Sequence, residues 1–276
     1  MPKARPAEEQ VLPRVVVATA SGPAVLDGGL DRLDLDVLRP ARAFTSIAGQ
    51  RHSPQRPYYE AMGRHVETES FTEAVAGHLL FRDDDVVRLV PQPFWIERIV
   101  EGRPGWACPD FLVERSDGRL AVVEVKRALY RPADSTLIKL AAVRQSCEQL
   151  DLGFRLVTGL SQSEQAIFDL LQTFHSERCI TGPGTDELKE LVIERASAPT
   201  PLEDLWSVGP AWQTKPMIWW MLWHNILCMD WSSGLDRRTL VLAHSRHTSD
   251  AEPDLACAWT CGPAASPTID DLWSSR

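Results

Sequence analysis

Three charged residues in CPDFLVERSDGRLAVVEVKRA, residues 108–128, have types and spacing that could do chemistry. Glu124 and Lys126 lie in the otherwise apolar run LAVVEVK, and side chains two residues apart in a strand project from the same face. Burying a charge without a partner is costly. Two explanations remain open: the two side chains form an internal ion pair, or a metal ion and an anionic substrate supply the missing charge.

The turn between the two apolar runs decides whether Asp110 joins this pair. With a two-residue Asp-Gly loop, Asp110 would lie opposite Val125 and point away from Glu124. A three-residue loop, Ser116-Asp117-Gly118, would place Asp110 opposite Glu124, with the glycine in the left-handed conformation of a G1 bulge. We predict the three-residue loop because it brings the three charged residues together.

Two carboxylates held this close repel each other unless a cation lies between them. Hard oxygen ligands with room for water suit Mg²⁺, for which Mn²⁺ can substitute. A neighbouring lysine can orient or deprotonate a water molecule, or stabilise charge on a phosphate oxygen. The three residues therefore indicate metal-assisted phosphodiester hydrolysis. The alternative is a solvated edge strand without chemistry, against which the apolar neighbours of Glu124 argue.

The pattern Asp-x(13)-Glu-x-Lys after a proline resembles the signature of PD-(D/E)xK nucleases, which usually draw a third acid from a helix before the first strand. The candidates are Glu67, Glu69 and Glu73 in VETESFTEA. Ser70 and Glu73 also fit a capping box, in which Glu73 would bond to the Ser70 amide. One carboxylate can hardly hold both the cap and a metal ion, so the two interpretations of Glu73 exclude each other.

A longer stretch, residues 45–245, resembles the TnsA-type endonuclease subunit of heteromeric transposases. The order of short patterns carries the resemblance: E-S-x-x-E at 69–73, an aspartate-rich turn leading to a strand, Gln-Pro-Phe at 92–94, P-D-F-L-V at 109–113 and V-E-V-K at 123–126. It implies a Mg²⁺-dependent DNA endonuclease that nicks one strand at each transposon end. A separate DDE-type transposase would cut and join the other strand, and an AAA+ ATPase would regulate both.

The resemblance also implies roles for individual residues. The catalytic acid of the helix would be Glu73, the metal aspartate Asp110, the second acid Glu124 and the lysine Lys126, with the three acids as metal ligands. Glu69 and Gln92 could support the site. Some relatives have a histidine just before the Pro-Asp pair, where this chain has Ala107 and Cys108.

The expected fold is α/β, with a restriction-endonuclease-like PD-(D/E)xK core whose mixed central sheet is flanked by helices. A C-terminal winged-helix-like α+β module follows, because three helices precede a predicted two-stranded ribbon. The expected divisions are an irregular basic N-terminal arm (1–44), the nuclease domain (45–160), the helical, winged-helix-like domain (161–261) and a flexible tail (262–276).

Basic residues are grouped despite the net charge of −9. We predict DNA-phosphate contacts for Arg64, Lys139 and Arg144, although a solvated helix face is an equal alternative for the last two. Trp219, Trp220 and Trp223 favour a packed core over a base-stacking platform. The stretch 39–65 has one acid, Glu60, against five arginines, namely Arg39, Arg42, Arg51, Arg56 and Arg64.

The N-terminus lacks the apolar core of a signal peptide, and no run has the length of a transmembrane helix. The sequence therefore predicts a cytoplasmic protein of the prokaryotic cytosol and nucleoid, without a membrane partner. Predicted partners are double-stranded DNA at transposon ends, the transposase, and the ATPase through the C-terminal domain or tail. The spacing of His244, His247, Cys257 and Cys261 would also permit a zinc site.

Two further functions stay open at this point. A stand-alone restriction- or repair-type enzyme would use the same three residues in another context. A non-catalytic subunit that keeps the nuclease fold for DNA docking or scaffolding would not need them at all.

Overall fold

The computed structural model describes residues 12–26, 30, 35–42, 53–83, 85–127 and 133–244. They form two compact units of mixed α/β structure, the first ending at Gly159 and the second beginning at Leu160. None of the helices within these ranges is long and apolar enough to cross a membrane.

The first unit contains two helices and ten strands among its described residues. A short 3-10 helix, Glu60–Met62, lies between the third and fourth strands. In chain order the elements are β1 (Val15–Thr19), β2 (Gly22–Leu26), β3 (Tyr58–Tyr59), β4 (Arg64–His65), α1 (Phe71–Phe81), β5 (Val86–Pro91), β6 (Phe94–Val100), β7 (Arg103–Ala107), β8 (Phe111–Arg115), β9 (Leu120–Lys126), α2 (Asp134–Gln149) and β10 (Gly153–Thr158).

Part of the segment that the sequence predicts to be an irregular arm is regular structure, which corrects that prediction. Strands β1 and β2 pair antiparallel, and β1 also pairs with β6 in a four-stranded sheet of order β2-β1-β6-β7. The β-branched run Val15–Val17 fits a pleated surface, and Val15 and Val17 are buried in the core. These strands therefore belong to the first unit and are not an appendage to it.

The second sheet has the order β10-β9-β8-β5 and carries the hairpin predicted from the sequence. Strands β8 and β9 pair antiparallel, with Phe111 opposite Val123, while β10 runs parallel to β9. Arg115 N donates to Arg119 O at 2.9 Å, which leaves a three-residue loop between these two residues. Gly118 has a φ of 80°, so the predicted three-residue loop with a left-handed glycine is confirmed.

Alternate residues of this sheet pack against two different layers. The side facing α1 forms one buried cluster, which contains Ala76, Leu80, Leu89, Phe111, Val113, Val123, Val125 and Val157. The other side packs with α2 and the first sheet in a larger cluster that includes Val17, Val90, Phe94, Ile96, Leu112, Val122, Val143 and Cys147. The sheet is therefore covered on both faces, as its nearly continuous apolar strands require.

A corner at Pro91-Gln92-Pro93 passes the chain from one sheet to the other. The sequence predicts a single strand broken at this point, and the two halves, β5 and β6, lie in different sheets. Gln92 has a φ of 41°, a left-handed conformation that is unusual for a residue other than glycine. The corner brings Gln92 next to the start of β8, because Gln92 N donates to Asp110 O at 2.9 Å.

The second unit contains four helices and three short strands among its described residues. Three tryptophans of its last helix, Trp219, Trp220 and Trp223, are at most 9% exposed, so the core position favoured by the sequence is confirmed. The sheet has the order β11-β13-β12. In chain order the elements are α3 (Gln162–Gln172), α4 (Thr185–Arg195), β11 (Thr200–Pro201), α5 (Leu202–Trp206), α6 (Ala211–Trp223), β12 (Leu227–Cys228) and β13 (Leu240–Ala243).

The hairpin loop yields a prediction about stability. No atom lies within 4 Å of a Cβ added at Gly118, so a substitution there acts through the backbone alone. Gly118→Val should lower the free energy of unfolding by about 1–2 kcal/mol, because a β-branched residue resists the left-handed conformation. Gly118→Asn should cost clearly less, because asparagine tolerates that conformation. Urea denaturation measures both, and equal stability of the valine variant and the wild type would contradict the prediction.

Candidate active site

Asp110 and Glu124 lie opposite each other where β8 begins and β9 ends. The register that pairs Phe111 with Val123 continues by one residue to this pair. Counting from the hydrogen-bonded pair Arg115–Arg119 at the loop, every second pair is hydrogen-bonded, so Asp110–Glu124 is a non-hydrogen-bonded pair, the kind with the closer side chains. The two carboxylates therefore project from the same face of the sheet, at one end of its two central strands.

Asp110 is held in place by the backbone of the opposite strand. Its Oδ2 atom accepts a hydrogen bond of 2.6 Å from Val125 N. Its own carbonyl accepts from Gln92 N, so the aspartate is fixed at both its side chain and its main chain. Such anchoring on strand backbone sets the direction of the carboxylate more firmly than a loop could.

Lys126 forms the internal ion pair that the sequence left open as one of two explanations. Its Nζ atom lies 2.8 Å from Glu124 Oε2 and 3.9 Å from Asp110 Oδ2, and it also donates to Val125 O at 3.1 Å. One ammonium group therefore faces two carboxylates. The ion pair balances only one of their charges.

The remaining negative charge is reflected in the pKa of Asp110, which lies well above its usual range. Burial is the largest cause, the neighbouring Glu124 carboxylate is the next, and Lys126 opposes both. The side chains of Asp110 and Glu124 are only 17% and 11% exposed, so water screens them little. A cation between the two carboxylates would relieve this repulsion.

Glu73 lies close to the site, but its carboxylate caps α1. Glu73 Oε2 accepts from Glu69 N at 2.8 Å, and Oε1 accepts from Ser70 Oγ at 2.9 Å. Ser70 Oγ in turn accepts from Glu73 N. The sequence predicts a bond to the Ser70 amide; the structure uses the Glu69 amide instead, one residue earlier. Both oxygens of Glu73 thus serve the helix N-terminus.

Glu73 still contributes to the electrostatics of the site. It is 8% exposed, and burial raises its pKa, while the hydrogen bonds from Glu69 N and Ser70 lower it. Its charge raises the pKa of Asp110, and Lys126 lowers the pKa of Glu73. Glu73 is therefore the third carboxylate near the pair, although its oxygens are engaged elsewhere.

Glu69 forms an ion pair with Arg42, a residue that the sequence analysis did not assign to the site. Cys108 lies in the same neighbourhood: burial raises the pKa of its thiol to about 12, Arg42 lowers it, and Asp110 and Glu124 raise it. The signal that could have indicated Arg42 is the arginine-rich stretch before residue 65. It was not specific enough to select one arginine.

Gln92 supports the site through its main chain. Besides its bond to Asp110, its carbonyl accepts from Ala41 N at 2.7 Å. The side chain is buried, and its Oε1 atom has no hydrogen-bond partner within the described ranges. Gln92 therefore supports the site through two main-chain hydrogen bonds. A role for its side-chain amide stays a prediction.

The residues predicted to contact DNA are distributed over other elements. Arg64 is exposed in β4, and Lys139 is exposed on α2. Arg144, also on α2, forms an ion pair with Glu148 at 2.9 Å. Their contacts with phosphate stay predictions. Of the four residues with zinc-like spacing, only His244 lies within the described residues.

The donor set near Asp110 fits a magnesium ion in a limited way. Across the described stretches of the chain, no group of three or more His, Cys, Asp or Glu side chains is arranged to hold a metal ion. Mg²⁺ is usually bound through one or two carboxylates, several waters and a substrate phosphate, so Asp110 and Glu124 are sufficient protein ligands. Their uncompensated charge is the observation that favours a cation here.

Comparison with known proteins gives no relative from which a function could be inferred. The chain matches none of the protein-family models, and no curated protein matches it significantly. The resemblance to the TnsA-type endonuclease stays a prediction based on the order of the sequence patterns. A function can therefore be proposed only from the residues of the site.

The raised pKa of Asp110 predicts a pH-dependent stability. A carboxyl group whose pKa is higher in the folded than in the unfolded chain stabilises the protein at low pH, and this contribution is lost as the pH rises through the folded value. Asp110→Asn should therefore raise the free energy of unfolding at pH 8 by about 1–2 kcal/mol. The gain should disappear below about pH 3.9, where the unfolded aspartate is also protonated.

Urea denaturation across this pH range measures the effect. A second series of measurements, with Mg²⁺ added, tests the binding of a cation. Mg²⁺ should stabilise the wild type, because a ligand that binds only the folded state shifts the equilibrium towards it. It should stabilise the Asp110→Asn variant less, because that variant has lost one of the two carboxylates. A variant less stable than the wild type at pH 8 would contradict the electrostatic strain assigned to this pair.

Proposed function

We propose that this chain is a Mg²⁺-dependent DNA endonuclease, with Asp110, Glu124 and Lys126 as its catalytic residues. The observation that supports it is the placement of two largely buried carboxylates opposite each other beside a single lysine, on two central strands of a sheet. An ion pair that served stability alone would need one carboxylate for one lysine. The second carboxylate, with its raised pKa, is explained if the site receives a cation.

Each residue has a separate task in this proposal. Asp110 and Glu124 would hold the ion; Mg²⁺, when bound, would polarise the phosphate and lower the pKa of a bound water. Lys126 orients a water molecule or stabilises charge on a phosphate oxygen, and its bond to Glu124 keeps it at the site. The Val125 amide fixes the Asp110 carboxylate before substrate arrives. Together they place the reacting groups at the end of the hairpin opposite its loop.

Glu73 is proposed as the third catalytic acid, with a condition set by its hydrogen bonds. It can join a metal ion only after its bonds to Glu69 N and Ser70 Oγ break, which costs about 1–2 kcal/mol, the value of a helix cap. Its burial and its influence on Asp110 favour this role. Its present use as a cap opposes it.

The wider context proposed is a heteromeric transposase, in which this chain nicks one strand at each transposon end. The sequence resemblance supports this context. The first unit would be the PD-(D/E)xK core, since the two central strands of its mixed sheet carry the signature residues. The second unit would be a winged-helix module, because α4, α5 and α6 precede the β12–β13 ribbon and β11 joins the same sheet.

The charge of the second unit favours a protein partner over DNA. Residues 160–244 contain six lysines and arginines against eleven acidic residues. An acidic surface repels the phosphate backbone, which dominates DNA affinity. We therefore assign this unit to docking of the transposase or the ATPase, and assign DNA contact to the first unit.

A second candidate function is a non-catalytic subunit that uses the nuclease fold as a scaffold. The observation in its favour is that Glu73 is engaged in the helix cap and that Lys126 already pairs with Glu124. In that case the three residues would be a structural polar cluster. The assay below separates the two functions.

Nicking of supercoiled plasmid DNA in Mg²⁺ tests the proposed activity. Asp110→Asn and Lys126→Met should each reduce the nicking rate at least about 100-fold, because each removes a ligand or a proton-transfer group. Glu114→Gln is the matched control, since Glu114 lies on the same hairpin and is paired with Arg88 at 3.4 Å away from the site. If wild type and both site variants nicked equally, or not at all with the partner subunits present, the catalytic proposal would fall.

A pair of variants tests the two roles of Glu73. Ser70→Ala should lower the free energy of unfolding by about 1 kcal/mol through loss of the cap and leave nicking intact. Glu73→Gln should keep most of the stability, because glutamine can also accept cap hydrogen bonds, and should lose nicking. Full nicking by Glu73→Gln would restrict Glu73 to the cap.

A further inference from the structure

We propose that Arg42 binds a phosphate oxygen of DNA at the candidate active site, in exchange for Glu69, with which its guanidinium group pairs in the free protein. This inference rests on the proposed function, because it assigns the contact for the anionic substrate of that site. It also names a residue from the segment before the nuclease signature, where the sequence indicates only a group of arginines.

The backbone places Arg42 beside the catalytic pair. The preceding residue, Ala41, donates its amide to Gln92 O at 2.7 Å, and Gln92 N donates to Asp110 O at 2.9 Å. Trp95 Nε1 also donates to Ala41 O at 3.3 Å. Two hydrogen bonds thus tie Ala41 to the corner and to β6, and a third ties the corner to the residue that precedes β8.

The side chain of Arg42 is directed to the same place from the other side. Its Nη2 atom pairs with Glu69 Oε1, and the amide of Glu69 binds Glu73 Oε2. Arg42 therefore bridges the N-terminus of α1 and the Gln92 corner, the two structures that flank Asp110. Its side chain is 40% exposed, so a ligand can reach it.

Without a bound metal ion, the negative charges of the site oppose DNA, and such a contact would offset part of that repulsion. Four carboxylates are clustered there, and Lys126 and Arg42 supply two positive charges. A phosphodiester adds another negative charge, which this surplus repels. Arginine presents five N–H groups in a planar fork that suits phosphate, and the bond to Glu69 uses one edge of it. The carboxylates concerned are Glu69, Glu73, Asp110 and Glu124.

The competing explanation is that the Arg42–Glu69 ion pair is purely structural. It makes a different prediction for the removal of Glu69. If the Arg42–Glu69 pair only stabilises the fold, loss of either member has the same effect. If Arg42 binds phosphate, Glu69 competes with the phosphate for the guanidinium group. Removing the charge of Glu69 then favours DNA, whereas removing the charge of Arg42 weakens binding.

Binding of a fluorescein-labelled DNA duplex, measured by anisotropy without divalent metal at several salt concentrations, distinguishes the two. Arg42→Gln should weaken binding about tenfold, as expected for loss of one charged hydrogen bond. It should also reduce the slope of log affinity against log salt by about 1. Glu69→Gln should bind as tightly as the wild type or more tightly. Thermal unfolding of each variant checks that the fold is retained.

Arg119→Gln is the matched control, because Arg119 also pairs with an exposed carboxylate, Asp117. It lies at the opposite end of the same hairpin, five residues from Glu124 and thus roughly 17 Å away. Its affinity and salt slope should equal those of the wild type. Equal weakening by Arg42→Gln and Glu69→Gln, or wild-type binding by Arg42→Gln, would overturn the inference.

A parallel nicking assay in Mg²⁺ separates this inference from the proposed function. If Arg42→Gln nicked DNA at the wild-type rate and its salt slope were unchanged, the endonuclease proposal would be retained. The proposed contact between Arg42 and DNA would be wrong. Loss of binding by Arg42→Gln in a protein that does not nick DNA would support the phosphate contact and refute the catalytic role of the site.

Discussion

The register of the β8–β9 hairpin is the constraint on which the candidate site depends. Three residues, not two, separate the paired ends of the strands, and Gly118 adopts a left-handed conformation to allow this turn. A shift by one residue would move Asp110 to the other face of the sheet. The apolar residues on both faces oppose such a shift, because each face packs against a different cluster. Packing and turn geometry therefore enforce the same arrangement.

The consequence of this register is an excess of negative charge in a poorly solvated place. Lys126 balances one carboxylate, and burial keeps water from screening the other. Proteins rarely keep such a cluster for stability alone, because an unpaired buried charge is costly. The surrounding structure limits the repulsion because two nearby carboxylates have partners of their own. Glu73 accepts hydrogen bonds from the start of α1, and Glu69 pairs with Arg42. A divalent cation would balance the remaining negative charge.

The helix cap and the candidate metal site share one side chain, Glu73. The capping pattern and the nuclease pattern overlap in sequence because a helix N-terminus favours acids in its first turn, and the nuclease arrangement places an acid there too. The hydrogen bonds of Glu73 show that, in the chain by itself, this side chain caps the helix. A metal ion would compete with the helix cap for Glu73. Metal binding by this side chain therefore depends on the free energy of the cap.

Much of this organisation could be predicted from the sequence. Strand parity put Glu124 and Lys126 on one face, and the three-residue loop was predicted because it brings Asp110 to them. The capping pattern of Ser70 and Glu73 indicated the start of α1, and the break at Gln92 indicated the interruption between β5 and β6. These predictions hold because they depend on neighbours within a few residues, where the pleat, the helical turn and turn chemistry are local.

The features that the sequence missed depend on distant partners. Strand β2 gains its stability by pairing with β1, and β7 by pairing with β6, while their own residues carry little periodicity. Arg42 reaches the site only because Ala41 bonds to Gln92, fifty-one residues later in the chain. The sequence alone thus determined which side chains share a strand face and which turn joins them. The tertiary structure decided which distant cations and caps surround them, because charge balance depends on distances that no local pattern contains.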